Sequence, residues 1–282
     1  MIEAALREVA AAPASKQLDI RPRANVLGIG VDAVDMNQAI DVVRRAVEEG
    51  RKGYICLADV RGIMEARRNP DLQVILEGAM LVAPDGMPTV WMGRLQGFSA
   101  MQRVFGPDLM LEVFRRKEFS HYRHFLCGGG PGAAGQLRDE LLKRFPWANI
   151  AGIYTPPFRA MTEEEGQQFA ERIRFLRPDI IWVGLSTPRQ ERFMFRYLPM
   201  LETKVMIGVG AAFLYHTGAI QDSPQWVKRA GMQWLHRLIQ EPKRLWRRYI
   251  LNVPLFLILA ALQVSGLRRF VLPEDAPPSG FS

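Results

Sequence analysis

The sequence Leu81-Val82-Ala83-Pro84-Asp85-Gly86 decides how the rest of the chain is interpreted. Its first three residues form an apolar run with the preceding Met80, and the Pro-Asp-Gly that follows is typical of a tight turn. The pattern predicts a buried strand that delivers one carboxylate, Asp85, to the rim of a sheet, where open α/β folds bind their ligands. Gly86 would let another molecule approach the backbone closely. The hexapeptide alone also fits an ordinary strand-ending turn, so the other segments must decide.

Those segments predict an α/β fold with a largely parallel sheet and flanking helices. Apolar runs typical of buried strands alternate with stretches of helical periodicity along the chain. We expect further strands at 25–30, 54–58, 124–127, 150–154, 179–184 and 205–209. Helices are expected at 37–49, 72–77, 89–95, 133–144 and up to Leu176, with Thr162 and Glu165 as a capping box for the last.

The composition points to an anionic partner in a reducing compartment. The 282 residues carry a net charge of +8, which suits nucleic acid, a phosphorylated substrate or a membrane surface. Both cysteines, Cys56 and Cys127, lie in strand-like apolar runs, so neither a disulfide framework nor a metal site is expected. The first twelve residues do not resemble a signal peptide, and we expect a cytoplasmic protein.

Two glycine-rich turns could contact a nucleotide. The first, 28–33, formally matches a dinucleotide fingerprint, but Asp32 and Asp35 would repel a pyrophosphate, so we expect a plain strand-to-helix turn. The second includes Gly128, Gly129 and Gly130 between a strand and a helix, where backbone N–H groups could hold a phosphate. The strand after it is not followed by an acidic residue that would bind a ribose.

Other polar groups are expected at the same edge of the sheet. The loop 185–191, which includes Gln190, is dense in hydrogen-bonding groups, and Gly210 follows the last strand. Arg103 could pair with Asp85, meet a substrate phosphate, or lie on the solvated surface. His121 and His124 have a spacing that two metal ligands could use, but no carboxylate or thiol accompanies them, so no metal is expected.

The C-terminal part combines basic, aromatic and apolar residues. Arg237, Arg244 and Arg247 would share one helical face if Pro242 only kinks the helix. The apolar run 250–262 is too short to span a bilayer, which takes roughly 20 residues, and Arg268 and Arg269 follow it. This pattern favours a segment that lies in the interface of an anionic membrane, with a core helix or an oligomer contact as the alternative.

We therefore divide the chain into an N-terminal arm (1–24), an α/β catalytic domain (25–231), a helical appendage (232–270) and a disordered Pro-rich tail (271–282). Because the expected strands and helices of the sheet all precede Gly231, we expect the α/β domain to fold without the appendage.

Five stretches together resemble the WecG/TagA/CpsF family of bacterial glycosyltransferases, in order and in spacing, over residues 26–262. They are Pro84-Asp85-Gly86-Met87-Pro88, Arg103-Val104-Phe105-Gly106-Pro107-Asp108, 184–191, 208–213 and 241–249. The resemblance implies transfer of a sugar from a UDP-sugar to a polyprenyl-diphosphate-linked glycan at the inner face of the cytoplasmic membrane. It also implies a fold distinct from the two common glycosyltransferase architectures, with an appendage that touches the membrane and closes over the active site.

The resemblance also implies roles for single residues. Asp85 corresponds to the catalytic base, Arg103 to a donor-sugar contact and Gln190 to a pocket glutamine. The arginines that meet the diphosphate correspond to Arg237, Arg244 and Arg247. These roles suit an inverting transfer, in which one carboxylate takes the acceptor proton and positive charge stabilises the leaving diphosphate. No Asp-x-Asp metal motif occurs, so we expect arginines rather than a metal to supply that charge, and no cofactor.

The chain departs from the family pattern at one place that concerns the site. Many members carry Thr-x-Asn where this chain has Leu57-Ala58-Asp59, which adds a carboxylate that we expect to face the substrate. The Pro-Asp-Gly-Met-Pro sequence is most similar to members of exopolysaccharide pathways.

Two other functions stay open at this stage. The glycine turns also fit a nucleotide (NAD)-dependent oxidoreductase, and the basic and aromatic C-terminal run also fits a non-catalytic nucleic-acid binder. The glycosyltransferase interpretation, which we prefer, involves no nucleic acid. The sequence does not decide between a monomer and a homo-oligomer.

Overall fold

The computed structural model describes residues 21–273, and its centre is a six-stranded, all-parallel sheet. The strands in chain order are β1 (Arg23–Val26), β2 (Ile29–Asp32), β3 (Gly53–Ala58), β4 (Leu81–Pro84), β5 (Arg123–Gly128), β6 (Asn149–Tyr154), β7 (Ile180–Gly184) and β8 (Val205–Gly208). The order across the central sheet is β4-β3-β8-β7-β5-β6, while β1 and β2 pair with each other. The predicted α/β fold with a parallel sheet is confirmed.

Helices alternate with these strands and cover the sheet. They are α1 (Met36–Glu48), α2 (Val60–Arg68), α3 (Pro70–Glu77), α4 (Met87–Leu95), α5 (Gly106–Arg115), α6 (Ala133–Arg144), α7 (Glu163–Leu176), α8 (Arg189–Tyr197), α9 (Ala212–His216), α10 (Gln225–Arg229), α11 (Gln233–Gln240) and α12 (Pro242–Val264). Two short 3₁₀ turns occur at Lys117–Phe119 and Leu198–Met200.

The sheet is buried on both faces, as its apolar strands predict. Along β3, Ile55 and Leu57 belong to one hydrophobic cluster, and Cys56 and Ala58 belong to the cluster on the opposite face. This alternation follows from the two-residue period of a strand. Cys56 and Cys127 are both buried free thiols.

The segment around Gly28 is a β-hairpin, so the expected single strand at 25–30 and the strand-to-helix turn are wrong. Leu27 and Gly28 both have positive φ, 57° and 89°, and turn the chain back on itself between β1 and β2. Two such residues form the tight turn that matches the twist of a hairpin. The Asp32 carboxylate then accepts a hydrogen bond from Val82 N (2.7 Å) and so covers the free edge of β4.

The C-terminal appendage is two helices rather than one kinked helix. The backbone leaves helical geometry at Glu241 (φ −128°, ψ 56°), and Pro242 occupies the first turn of α12, where it fits without loss of a hydrogen bond. Arg237 therefore lies on α11, whereas Arg244 and Arg247 belong to α12, so the expected single face does not form. Among residues 21–273, no helix is both long and apolar enough to cross a membrane.

Helix α12 has one face buried against the catalytic domain. Phe256, Leu259 and Ala260 share a hydrophobic cluster with Ile63 and Met64 of α2. Asn252 on α12 accepts a hydrogen bond from Arg68 Nη1 of α2 (2.9 Å). The opposite face exposes apolar side chains, with Leu257 54% and Ile258 59% accessible. The appendage is therefore integrated with the α/β domain while presenting an apolar surface outward.

Candidate active site

The strand register brings two aspartates together at the carboxyl edge of the sheet. Ala58 pairs with Pro84 at the ends of β3 and β4, and Asp85 N donates to Ala58 O (3.1 Å). Asp59 and Asp85 are therefore the next residues along two adjacent strands. Asp59 caps α2 by accepting the Gly62 N–H (2.7 Å), and Gly86 precedes α4.

An open cleft lies over this edge, between the catalytic domain and the appendage. Asp59 and Asp85 line its floor, and Gln233, Trp234, Arg237 and Asn252 of the appendage form the opposite wall. The other lining side chains include Arg61, Met87, Pro88, Arg103, Phe105, Tyr215, Lys228, Val253, Phe256 and Leu257. Basic side chains therefore outnumber the two carboxylates, and aromatic side chains offer faces for a ring-shaped ligand.

Asp85 is a part-buried carboxyl, 21% accessible with its Oδ1 atom buried, and its pKa is raised to about 8. Burial is the main cause, and the nearby Asp59 and Asp108 act in the same direction, whereas Arg103 and Arg237 oppose the shift. Its Oδ1 atom makes no hydrogen bond with the described residues and lies 3.8 Å from Arg103 Nη2. A carboxyl with a pKa close to physiological pH suits a group that must take up a proton during a reaction.

Arg103 connects Asp85 to the appendage. Its Nε donates to the Asp85 carbonyl oxygen (2.7 Å), and its Nη2 donates to the Gln233 side chain on α11. The guanidinium also lies over the Phe105 ring, 4.2 Å from its centroid. Of the three sequence-based alternatives for Arg103, the structure supports contact with Asp85 within the cleft.

The other basic residues of the cleft come from three elements. Arg237 on α11 pairs with Glu241 (3.0 Å) and lies over the Tyr215 ring. Lys228 forms an ion pair with Asp222, and Arg61 Nη1 donates to Ser186 Oγ (3.3 Å). The sequence analysis did not single out Lys228 or Arg61 as site residues. Arg61 could have been recognised from the sequence by its place in the first helical turn after Asp59, the residue that follows β3.

Arg244 and Arg247 stay sequence-based predictions. Their backbone belongs to α12, but their side chains lie outside what the structure describes.

The glycine-rich loop, Gln190 and Gly210 follow strands at the same edge of the sheet but do not line this cleft. A β-carbon on Gly128 would lie 2.6 Å from Gly184 O, so this glycine allows β5 and β7 to approach closely. Gly129 N donates to Gly184 O (3.0 Å), whereas the space around Gly130 is open. Gln190 is buried and accepts the Gly210 N–H (3.0 Å).

The histidines considered as metal ligands do not form a site. His124 is buried, and its Nδ1 accepts the indole N–H of Trp182 (3.2 Å), with burial lowering its pKa to about 3. In the part of the chain that the structure describes, no three His, Cys, Asp or Glu side chains are placed to hold a metal ion.

The fold is a parallel α/β sheet, and the cleft at the carboxyl edge of that sheet holds a carboxyl group and several basic side chains. This combination defines a candidate transferase of phosphorylated substrates. The sequence profile of the glycosyl transferase WecG/TagA/CpsF family matches residues 24–269. The chain belongs to this family of glycosyltransferases.

Two relatives whose names state an enzymatic activity are similar to this chain over most of their own length. A protein from Bacillus spizizenii named N-acetylglucosaminyldiphosphoundecaprenol N-acetyl-beta-D-mannosaminyltransferase is 26% identical over 208 residues, which cover 74% of this chain and 78% of the relative. A Staphylococcus aureus (strain MRSA252) protein of the same name is 23% identical over 237 residues, covering 83% and 91%.

Proposed function

We propose that this protein is an inverting glycosyltransferase that moves a sugar from a UDP-sugar to a polyprenyl-diphosphate-linked glycan, with Asp85 as the general base. The observation that carries the proposal is the placement of one part-buried carboxyl of raised pKa in a cleft whose other charged side chains are mostly cationic. Such a cleft supplies both a group that can take a proton and groups that can hold phosphate.

The reaction is a single displacement at the anomeric carbon of the donor. The acceptor hydroxyl oxygen forms the new bond to that carbon, while the bond from the carbon to the diphosphate oxygen breaks and its electron pair leaves with UDP. The hydroxyl proton passes to the Asp85 carboxylate. A positioned general base contributes typically 10²–10⁴-fold to such a step.

Cationic side chains would stabilise the negative charge that develops on UDP. Arg103, Arg237, Lys228 and Arg61 line the cleft, and Arg244 and Arg247 are proposed to reach it from α12. Guanidinium groups can hold phosphate oxygens by two parallel hydrogen bonds. We propose that these residues replace a metal ion and that no cofactor takes part.

The names of the relatives suggest which substrates to try first. They point to an N-acetylglucosaminyl-diphospho-undecaprenol acceptor and an N-acetylmannosaminyl donor. Their products are β-linked, and a β product from an α-linked nucleotide donor requires inversion. The Pro-Asp-Gly-Met-Pro sequence adds exopolysaccharide glycans as a second acceptor class to test.

We also propose that the protein works while bound peripherally to the cytoplasmic face of the membrane. The exposed side chains of α12 between Leu255 and Val264 are apolar, as is Leu267 in the turn after it (79% accessible), and Arg268 and Arg269 follow. Apolar side chains beside arginines suit an interface of anionic lipid.

The test is transfer of labelled sugar by the wild type and by Asp85→Asn, after a thermal-shift screen has identified a UDP-sugar that binds. We expect Asp85→Asn to lower turnover by about two to four orders of magnitude while UDP affinity changes little. Asp71→Asn, which removes an aspartate of α3 outside the cleft, is the control. Near-normal turnover of Asp85→Asn would refute the role of the base.

A chelator arm tests the metal-independent chemistry. We expect EDTA to leave the wild-type rate unchanged, because the cleft side chains supply the positive charge. A rate that is lost with EDTA and restored by Mg²⁺ or Mn²⁺ would refute this part of the proposal.

A further inference from the structure

A second carboxylate, Asp59, lies beside the proposed base and has no role in the reaction described above. Asp59 and Asp85 follow the paired residues Ala58 and Pro84 on adjacent parallel strands, which run about 4.8 Å apart. Both side chains line the cleft. The backbone at Gly86, next to Asp85, also lies close to Asp59, since a β-carbon on Gly86 would lie 3.9 Å from Asp59 Cβ.

The position of Asp59 is fixed by the helix that it caps. Its Oδ1 accepts the Gly62 N–H (2.7 Å) at the start of α2, where the helix dipole favours negative charge. Within residues 21–273, Asp59 forms no ion pair closer than 4.0 Å. No basic side chain therefore contacts this carboxylate directly, although it lies beside Asp85.

The charged groups around Asp85 come from several elements. Arg103 and Arg237 favour its ionised form, whereas Asp59 and, more weakly, Asp108 favour its protonated form. Arg61 and Lys228 line the same cleft. Asp59 is the larger of the two acidic influences and sits on the strand adjacent to Asp85.

We propose that Asp59 is a positioning residue for the base: its negative charge, one strand away, keeps the proton on Asp85 and makes Asp85 a stronger base toward the acceptor hydroxyl. This inference rests on the proposed function, in which Asp85 takes that proton.

Asp59→Asn tests the inference with little change in structure. Asparagine caps helices as well as aspartate does, so only the charge is removed. We expect the acidic limb of the rate against pH to move down by about 0.5–1 pH unit, because one unit charge at this range shifts a buried carboxyl by about that much. The plateau turnover should fall several-fold, since a weaker base transfers the proton less readily. The KM for the donor should change less than about twofold, because the charge acts through Asp85 rather than on the substrate.

The matched control is Asp139→Asn, which removes a negative charge from the exposed face of α6. Its limb should stay at the wild-type pH. An unmoved limb in Asp59→Asn would overturn the inference, and so would a large rise in KM without a shift of the limb, since that would mean direct contact with the substrate.

A measurement without substrate separates this inference from the proposed function. The melting temperature of the wild type, Asp59→Asn, Asp85→Asn and the double variant is followed from pH 4 to pH 9. We expect the wild-type curve to fall with pH relative to Asp85→Asn until the pH reaches the folded-state pKa of Asp85. Relative to the double variant, the curve of Asp59→Asn should start to fall at the same pH but stop falling at a lower pH than the wild type does. Equal curves for the wild type and Asp59→Asn would overturn the inference even if sugar transfer is found, and the shift can be seen even if no sugar is transferred.

Discussion

At the scale of single residues, Asp85 lowers the stability of the fold when it ionises but is needed for the proposed reaction. A buried carboxyl that is not salt-bridged in close contact destabilises the fold when it ionises, yet the proposed reaction needs the ionised form. Active sites commonly carry such destabilising groups, because function rather than stability fixes them.

We therefore predict that Asp85→Asn makes the protein more stable while it abolishes transfer. The pKa of Asp85 is about 8 in the folded state and about 3.9 in the unfolded chain. Between these values the unfolded chain is ionised and the folded protein keeps its proton, so stability falls as pH rises through this window. Asparagine lacks this loss, and we expect a gain of up to about 5 kcal/mol at pH 8, at about 1.4 kcal/mol for each unit of the pKa difference, and almost none near pH 4. Thermal unfolding of both proteins across this pH range checks the prediction, and parallel curves would contradict it.

Arg103 is the residue through which the base contacts the appendage, and its geometry depends on a guanidinium. Lysine would keep the charge but cannot donate to Asp85 O and Gln233 while lying flat over Phe105. We predict that Arg103→Lys lowers kcat/KM by about 10–100-fold. Arg94→Lys is the control, because Arg94 also donates to a backbone carbonyl, that of Met101 (3.0 Å), but lies outside the cleft. Equal effects of the two substitutions would contradict the special role of Arg103.

At the scale of secondary-structure elements, α12 must satisfy two environments at once. Phe256 is 1% accessible within the hydrophobic cluster, and Ile258, two residues later, is 59% accessible on the other side. The inner face of the helix therefore packs in the hydrophobic core, and its outer face exposes apolar side chains.

Substitutions on the two faces should separate these roles. We predict that Phe256→Ala lowers the free energy of unfolding by about 3–5 kcal/mol, because it leaves a cavity in the core. Ile258→Ala should change it by less than about 0.5 kcal/mol. In flotation with anionic vesicles, Ile258→Asp should bind less than the wild type, with an unchanged melting temperature. Unchanged vesicle binding would contradict the proposed membrane contact of this face.

Most elements could be predicted from local sequence, and those that could not depend on unusual turns. Helix α6 has the predicted bounds, and Thr162 and Glu165 form the predicted capping box of α7. The hairpin was missed because its turn places Leu27, a bulky residue, at positive φ. The break at Glu241 was missed because proline can either kink a helix or begin one, and only the following residues' packing decides.

The candidate site could be predicted in part for a related reason. Asp85 and Arg103 were found because each belongs to a motif that is continuous in sequence. The pairing of Asp59 with Asp85 depends on which strands are neighbours, and this long-range choice leaves no local pattern. Lys228 and Arg61 reach the cleft only through the tertiary arrangement of α10 and α2.

At the scale of the whole molecule, the appendage is part of the fold. Sequence analysis predicted that the α/β domain folds without it, because the strands all precede Gly231. In the structure, Phe256, Leu259 and Ala260 lie in a hydrophobic cluster with residues of α2 and of the sheet, so the expectation stays a prediction that stability measurements must test.

We predict that a chain ending at Gly231 is markedly less stable than the full chain. Deletion would expose the cluster around Ile63 and Met64 and remove one wall of the cleft. We expect a lower melting temperature, binding of a hydrophobic dye, and no transfer to a soluble acceptor. A truncated protein that melts at the full-length temperature would show that α12 contributes little to the core.

The two-faced helix has a practical consequence for anyone who wants this protein as a reagent in a test tube. Deleting α12 to remove its exposed apolar surface would also remove part of the hydrophobic core. Polar substitutions confined to outward positions such as Ile258 and Leu267 are the better engineering route. They should weaken the proposed membrane contact and leave Asp85, Arg103 and the wall of the cleft in place.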